Sequence, residues 1–347
     1  MEREGIAIFW LAPVSGWHSW HTLNLVAVIG IAEMLKKVRF EPTEGALLYH
    51  YCSPATLHAI IQNKTIRLAD ISQMNDSMEL KWGLDLLRGE IERQSNIAEG
   101  AQYLLERAMR HVQEGAVCLA SCLSTQADVL SQWRAYADNG AGFAIGFDAE
   151  MFESLPVTMF EVCYDPAGQR ERVAELVSKM IELESKLGDT SADKLLFDPL
   201  AEILNIEPSD DDEADDALDA VTRRHLFIME RASLYGTYDL AAFKNPAFSE
   251  ESEVRVVHLA KVDDHADLRV RLLGMETDWG SERVPQLQFA MRGSSPICYL
   301  DAPIPNEMVR EVVIGPRAQV TEVALQRFLA TSGFPGVVVR RSVASYR

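Results

Sequence analysis

Positive charge is scarce in this sequence. Its 347 residues include 33 lysines and arginines against 52 aspartates and glutamates, which gives a formal net charge of −19. Nucleic acids and anionic membranes attract proteins through positive surfaces, so this balance argues against broad binding to either. We therefore expect no broad nucleic-acid surface and no membrane partner.

Cysteine is also sparse, and its spacing does not suggest metal binding. The chain has five cysteines, and none of them forms a C-x-x-C pair of the kind that zinc ribbons use. An odd number of cysteines without a secretory signal favours free thiols in a reducing cytoplasm. The acidic run at residues 210–216 lacks the central glycine and terminal glutamate of a calcium loop. We interpret it as a solvated loop and expect no metal site.

The apolar run at residues 23–31 is too short to cross a bilayer, which takes about 20 residues. Its flanks also differ from those of a signal peptide, because Lys36 and Lys37 follow the run instead of preceding it. We interpret residues 1–33 as a poorly packed leader. We expect translation of the native protein to begin at Met34.

Short β-rich runs and amphipathic helical stretches follow one another along the rest of the chain. With no internal repeat or linker, this pattern predicts one α+β domain over residues 34–347, with a helical insertion at about residues 168–235. We expect a mixed, mostly antiparallel sheet with flanking helices. The predicted strands lie at residues 46–51, 65–68, 116–122, 142–148, 160–164, 268–273, 298–300, 309–314 and 336–342, together with the apolar part of 248–257. The predicted helices lie at residues 54–63, 78–94, 101–113, 124–138, 170–235 and 321–331, the first capped by Ser53.

Residues 248–257 contain the most informative charges. Side chains alternate across a strand, so Glu251, Glu253 and Arg255 are expected to share one face. Isolated buried charges are costly, so these groups must pair, face water or meet a ligand. A salt-bridged strand edge and a ligand-facing site both fit this pattern.

Three further polar positions stand in apolar surroundings. His50 alternates in phase with Leu48, which is typical of a core histidine as well as of a ligand contact. The turn at residues 75–76 suits a helix cap. Trp133 and Tyr136 share a helix face, whereas Arg134 points elsewhere and could reach an anion.

Six short motifs follow one another along the chain: Tyr49-His50-Tyr51-Cys52-Ser53, Met74-Asn75-Asp76-x-x-Glu79, Trp133-Arg134-x-Tyr136, Gly142-Phe143-x-x-Gly146-Phe147-Asp148, Glu251-x-Glu253-x-Arg255 and Ile314-Gly315-Pro316-Arg317. Their order and spacing resemble a bacterial family known as domain of unknown function 2971, over about residues 45–340. Two positions depart from its usual pattern: Ser77 stands where the family has proline, and Val254 stands where it has tryptophan.

A more distant resemblance is to the NAD-dependent ADP-ribosyltransferases, through the histidine of the first strand and the late Glu-x-Glu. It implies His50 as a ribose ligand, Glu253 as the catalytic carboxylate and Glu251 as a residue that orients the acceptor. It also implies Arg67 or Arg134 at the pyrophosphate and Tyr51 or Tyr136 stacked on the nicotinamide. The full set of residues that the resemblance assigns to NAD is His50, Tyr51, Ser53, Arg67, Arg134, Tyr136 and Arg255.

This resemblance implies a chemistry that is physically coherent. Cleavage of the nicotinamide–ribose bond leaves positive charge on the ribose, and a fixed carboxylate stabilises that transition state. The expected activity is transfer of ADP-ribose from NAD to an unknown macromolecular acceptor, in phage defence or toxin-type conflict. The alternative is a non-catalytic module of the same fold that senses a nucleotide or another ligand. The transferase hypothesis requires His50 and Glu253 to line the same cleft.

Overall fold

The computed structural model describes residues 39–74, 79–94, 116–188, 240–261 and 286–346. Within these stretches, a ten-stranded and mostly antiparallel sheet is combined with helices, which confirms the predicted α+β class. The predicted leader, the turn at 75–76, the helix at 101–113, the acidic run and the strand at 268–273 lie outside the described residues. The domain boundaries therefore stay predictions.

The strands form one sheet that branches at β3, the third strand in the sequence. The main path has the order β10-β9-β4-β1-β3-β2-β8-β7, while β6 pairs with β3 along its length and β5 pairs with β6. Only the pairing of β9 with β10 is parallel among the described strands. The strands are β1 Leu47–Cys52, β2 Thr65–Asp70, β3 Ala116–Ser124, β4 Phe143–Asp148, β5 Thr158–Glu161, β6 Glu253–Lys261, β7 Gln288–Arg292, β8 Ser295–Pro303, β9 Val309–Ile314 and β10 Val338–Arg341.

The helices pack on and around this sheet. The first helix begins as predicted, because Ser53 Oγ accepts a hydrogen bond from the Thr56 amide at 3.1 Å and Pro54 takes the first helical position. It ends at Lys64, whose left-handed backbone closes the last turn. The helices are α1 Pro54–Asn63, α2 Glu79–Arg93, α3 Leu130–Ala135, α4 Pro166–Gly188 and α5 Glu322–Thr331.

Two local predictions were wrong. Ser124 does not begin a helix: it is the last residue of β3, and α3 starts only at Leu130. Glu251 does not lie on a strand with Glu253 and Arg255, as alternation had led us to expect, because Pro246–Glu251 forms a 3₁₀ helix and β6 begins at Glu253. The Asn245 side chain caps this 3₁₀ helix by accepting from the Ala247 amide at 3.0 Å.

The register of β1, β3 and β6 gives the sheet two faces of different character. Tyr49 lies opposite Ser124, and Ser124 lies opposite Glu253, so these three side chains share one face. We call it the charged face. Leu123 and Val254 alternate to the other face, where they belong to the main hydrophobic cluster. We call this the core face.

Candidate functional site

Four charged side chains form a buried network on the charged face. The Lys244 ammonium bridges two carboxylates, at 2.7 Å from Nζ to Glu251 Oε2 and 2.6 Å to Glu253 Oε2. Arg255 Nε donates to Glu253 Oε1 at 2.6 Å. All four side chains belong to residues that are less than a tenth exposed. We call this group the ion network; its two cations balance its two anions, which offsets much of the cost of burying each charge.

The local chain path brings the two glutamates to one lysine. Glu251 ends the 3₁₀ helix, Glu253 begins β6, and Ser252 between them has a left-handed backbone with φ 45°. The Ser124 hydroxyl holds this corner by donating to the Glu251 carbonyl at 2.8 Å. The glutamates therefore come from different elements and still meet at Lys244.

Arg255 anchors the network to the rest of the fold. Its guanidinium donates from Nε to Glu253 and from Nη1 to the Ala241 carbonyl, the latter at 2.5 Å. The residue has 0% exposure. The Arg255 guanidinium therefore joins β6 to the segment that carries Lys244. Its hydrogen bonds to Glu253 and Ala241 are made inside the protein and not to a ligand.

Two aromatic side chains mark where the ion network approaches the surface. Tyr136 donates its hydroxyl to Glu251 Oε1 at 3.1 Å and is 38% exposed. The Phe248 ring lies with its centroid 5.2 Å from Lys244 Nζ and is 36% exposed. We call Tyr136, Phe248 and Glu251 the mouth. Burial, followed by the negative charge of Glu251, raises the pKa of Tyr136, so its phenol stays a hydrogen-bond donor at neutral pH.

Tyr164 holds the backbone of Glu253 in place. Its hydroxyl accepts a hydrogen bond from the Glu253 amide at 3.2 Å. Burial, followed by the nearby Glu253 charge, raises the pKa of the Tyr164 phenol. The phenol is therefore neutral and fixes the start of β6.

The two glutamates differ in how accessible they are to a ligand. Both oxygens of Glu253 are used by Lys244 and Arg255, and the residue is 3% exposed. Glu251 accepts one hydrogen bond on each oxygen, from Lys244 and Tyr136. A carboxylate offers about four acceptor positions, so both glutamates keep unused ones. The Glu251 side chain is 11% exposed and bonds the exposed Tyr136, whereas that of Glu253 is 3% exposed, so a ligand in the mouth can reach only Glu251.

The network predicts a specific acid response. Burial alone would raise the pKa of Glu253, but the charges of Arg255 and Lys244 outweigh it and hold the pKa at about 2, below the ordinary value of 4.5. A lowered folded-state pKa stabilises the protein above pH 4.5, and that contribution is lost as the pH falls towards 2. Urea unfolding at a series of pH values should show this decline in the free energy of unfolding, and Glu253→Gln should show a smaller one. Equal pH dependence in the two proteins would contradict the assignment.

Four of the predicted site residues are brought together. Glu251, Glu253 and Arg255 lie in the ion network, and Tyr136 reaches Glu251 from α3. The expected salt bridge is present between Glu253 and Arg255, but β6 is not an edge strand, because it pairs with β3 on one side and β5 on the other.

His50 is not part of this group. It lies on the core face with Leu48, and its Nδ1 is 3.4 Å from the Cys122 carbonyl oxygen. Tyr49, not His50, occupies the position in register with Ser124 and Glu253. The shared cleft of His50 and Glu253 is therefore not formed, because one residue of strand alternation turns His50 to the opposite face. Burial lowers the pKa of His50, which keeps its ring neutral at physiological pH.

The remaining predicted residues have other partners. Ser53 caps α1, and Tyr51 donates its hydroxyl to the Gln126 carbonyl at 2.9 Å. Arg67 pairs with Asp301, with Nε 2.8 Å from Oδ1. Arg134 is exposed on α3. The residues assigned to NAD by resemblance thus do not assemble into one site.

Lys244 is the functional residue that the sequence analysis missed. The Glu251-x-Glu253-x-Arg255 pattern contains two carboxylates and only one cation. It therefore left one carboxylate without a partner. Lys244 is the nearest basic residue before Glu251 in the sequence, and that proximity was a usable signal. Tyr164 was missed as well, and its contact to a backbone amide leaves no comparable trace in the sequence.

Within the described residues, no group of three or more His, Cys, Asp or Glu side chains could hold a metal ion. Of the helices in the part of the chain that the structure describes, none has the length and apolar character needed to cross a membrane.

The fold and the ion network define an α+β chain with a branched sheet and a buried charge cluster at the edge of an aromatic mouth. Residues 132–256 match the model of a family described as "Protein of unknown function (DUF2971)", which supports the resemblance noted from the motifs. The matched stretch contains the whole ion network, Tyr136 and Tyr164, whereas His50 and Arg67 lie outside it. Neither the search of curated proteins nor the search of solved structures gave a match.

Proposed function

We propose that this chain is a ligand-binding module that takes a nucleoside-type small molecule at the mouth and does not cleave it. The observation that carries the proposal is the contrast between the two glutamates. Glu253 bonds only to the buried cations Lys244 and Arg255, while Glu251 also bonds to the exposed Tyr136 and is the more accessible of the two carboxylates. A site of this kind favours binding of a ligand over cleavage of a bond within that ligand.

The chemistry of the mouth matches a base joined to a sugar. A planar base can stack on the exposed ring of Tyr136 or Phe248, and stacking of this kind contributes about 1–3 kcal/mol per base. Sugar hydroxyls are donors that a carboxylate such as Glu251 accepts well. The ligand would thus meet one acceptor and two aromatic surfaces without disturbing Glu253.

ADP-ribosyl transfer to a macromolecular acceptor is the competing function. It gains support from the ionised state of Glu253, since the adjacent cations keep its carboxylate negative at neutral pH. It would, however, require that carboxylate to leave Lys244 or Arg255 and turn towards a substrate. Breaking a buried ion pair costs about 3–5 kcal/mol, which makes Glu253 a poor partner for a developing cation.

Binding is tested by isothermal titration calorimetry of the full chain with adenosine, ADP-ribose and NAD. We expect at least one of them to bind, and we expect Tyr136→Ala or Phe248→Ala to weaken binding roughly fivefold or more through lost stacking. Phe289→Ala is the matched aromatic control, because Phe289 is 56% exposed on β7 and does not belong to the mouth. Equal affinity in all three variants would reject the mouth as the site.

Catalysis is tested separately by chromatography of NAD incubated with the protein. We expect no release of nicotinamide above background by the wild type. Release by the wild type that is lost in Glu251→Gln and Glu253→Gln would overturn the proposal in favour of the transferase. Circular dichroism of both variants shows whether such a loss comes from unfolding.

A further inference from the structure

Two exposed arginines surround the ring of Tyr346. The guanidinium carbon of Arg134 lies 5.4 Å from the ring centroid, and that of Arg317 lies 5.3 Å from it. Arg134 and Tyr136 are two residues apart on or beside α3, so their side chains point in different directions. Arg134 therefore contacts Tyr346, while Tyr136 bonds to Glu251 in the mouth.

The backbone around the arginines is tightly fixed. The Arg317 amide donates to the Gly140 carbonyl at 2.8 Å, and its guanidinium donates from Nη1 to the Asn139 carbonyl at 3.2 Å. Asn139 and Gly140 both have positive φ, at 53° and 85°. The position of Arg317 is thus set by a rigid turn and not by a mobile surface loop.

Tyr346 is also held in place. Its hydroxyl bonds Asn139 Oδ1, and residues 342–346 are tied to Asp128 through the Ser342 hydroxyl at 2.5 Å and the Val343 amide at 2.7 Å. The same carboxylate accepts from Trp133 Nε1 at 2.6 Å. Asp128 therefore positions the segment that carries the Tyr346 ring.

What sets this cluster apart is that two guanidinium groups lie near one aromatic ring. Arg67 and Arg340 are paired with carboxylates, but within the described residues neither Arg134 nor Arg317 has a carboxylate partner. In the same part of the chain, Arg292 and Arg341 also have no carboxylate partner, but they donate to backbone carbonyls and face no shared ring. Here the face of an aromatic ring takes the place of an anion, as in other cation–π contacts.

We propose that Arg134 and Arg317 form a binding site for a phosphate-bearing small molecule, and that Tyr346 covers this site when the ligand is absent. Guanidinium groups bind phosphate oxygens through paired N–H donors, and this is stronger than their attraction to a ring face. A phosphate group would displace the Tyr346 ring and bind between or beside the two guanidinium groups. This proposal does not depend on the nucleoside site at the mouth.

The test is calorimetric titration of the full chain with inorganic pyrophosphate at constant ionic strength. We expect Tyr346→Ala to bind pyrophosphate at least fivefold more tightly than the wild type, because no ring competes for the arginines. Tyr346→Phe keeps the ring but loses the hydrogen bond to Asn139, so its affinity should lie between those of the wild type and Tyr346→Ala. Tyr346→Ala combined with Arg317→Ala, or with Arg134→Ala, should lose the gain.

Arg310→Ala is the control for general charge, since Arg310 is an exposed arginine on β9 outside this cluster. In the Tyr346→Ala background it should leave pyrophosphate affinity unchanged. Unchanged or weaker binding by Tyr346→Ala, or a gain that survives removal of either Arg134 or Arg317, would overturn the proposal. A loss of affinity with Arg310→Ala equal to that with Arg317→Ala would also overturn it, because it would show attraction to charge alone.

Discussion

Replacing Lys244 with methionine is expected to lower the free energy of unfolding by about 3–5 kcal/mol. Methionine fills a similar volume but leaves Glu251 and Glu253 facing each other with only Arg255 to neutralise them. The Glu253 side chain is only 3% exposed, so water cannot replace the lost ammonium there. Urea unfolding followed by circular dichroism at neutral pH measures the change.

Two further variants separate the ion network from general effects of the substitution. Arg88→Met removes an exposed cation paired with Asp85 at 3.4 Å and should change stability by less than about 1 kcal/mol. Lys244→Met combined with Glu251→Gln restores the charge balance, because Glu253 keeps Arg255. This double variant should be more stable than Lys244→Met alone. A single variant as stable as the wild type would show that Lys244 does not hold the two carboxylates.

Gly142→Ala is expected to cost more than about 4 kcal/mol or to prevent folding. A Cβ at Gly142 would lie 2.2 Å from the Cys52 carbonyl oxygen and 2.9 Å from backbone atoms of Ala137. These are backbone contacts beside the Cys52↔Phe143 pair of β1 and β4, so they can be relieved only by separating the strands. Thermal unfolding of the purified variant, or its absence from the soluble fraction, reports the effect.

The matched control is Gly89→Ala. A Cβ at Gly89 would meet no atom within 4 Å, and the residue lies inside α2. Alanine is favoured over glycine in a helix by about 0.5–1 kcal/mol, so this variant should be slightly more stable than the wild type. A Gly142→Ala protein that unfolds at the wild-type temperature would contradict the close approach of β1 and residue 142.

Local sequence signals predicted the elements whose cause is local. Ser53 and Pro54 predicted the start of α1, and the β-branched residues of β9 predicted that strand within its observed bounds. Strand β7 was not predicted, since its residues are exposed and carry no alternating pattern of burial. Glu251 was wrongly placed on the strand because the Asn245–Pro246 start of the 3₁₀ helix lies outside residues 248–257, on which the prediction was based.

The site was harder to predict because it depends on contacts distant in sequence. The Glu-x-Glu-x-Arg pattern identified three of the four charges in the ion network. Alternation also placed His50 in phase with Leu48, but it could not say which face of the sheet Glu253 would take. That relation is set by β3, which joins β1 and β6 through the register of Tyr49, Ser124 and Glu253. The family resemblance did not predict this register, so it did not show that His50 and Glu253 lie on opposite faces of the sheet.

Helix α3 connects a residue of the proposed phosphate site with a residue of the mouth. It is a six-residue element that carries Arg134 towards Tyr346, while Tyr136, which follows it, reaches Glu251. A rigid displacement of this short helix moves both side chains together. Any free energy of coupling between the two sites must then be reciprocal: an anion that changes affinity at the mouth is itself bound more tightly or more weakly, by the same factor, when the mouth is filled.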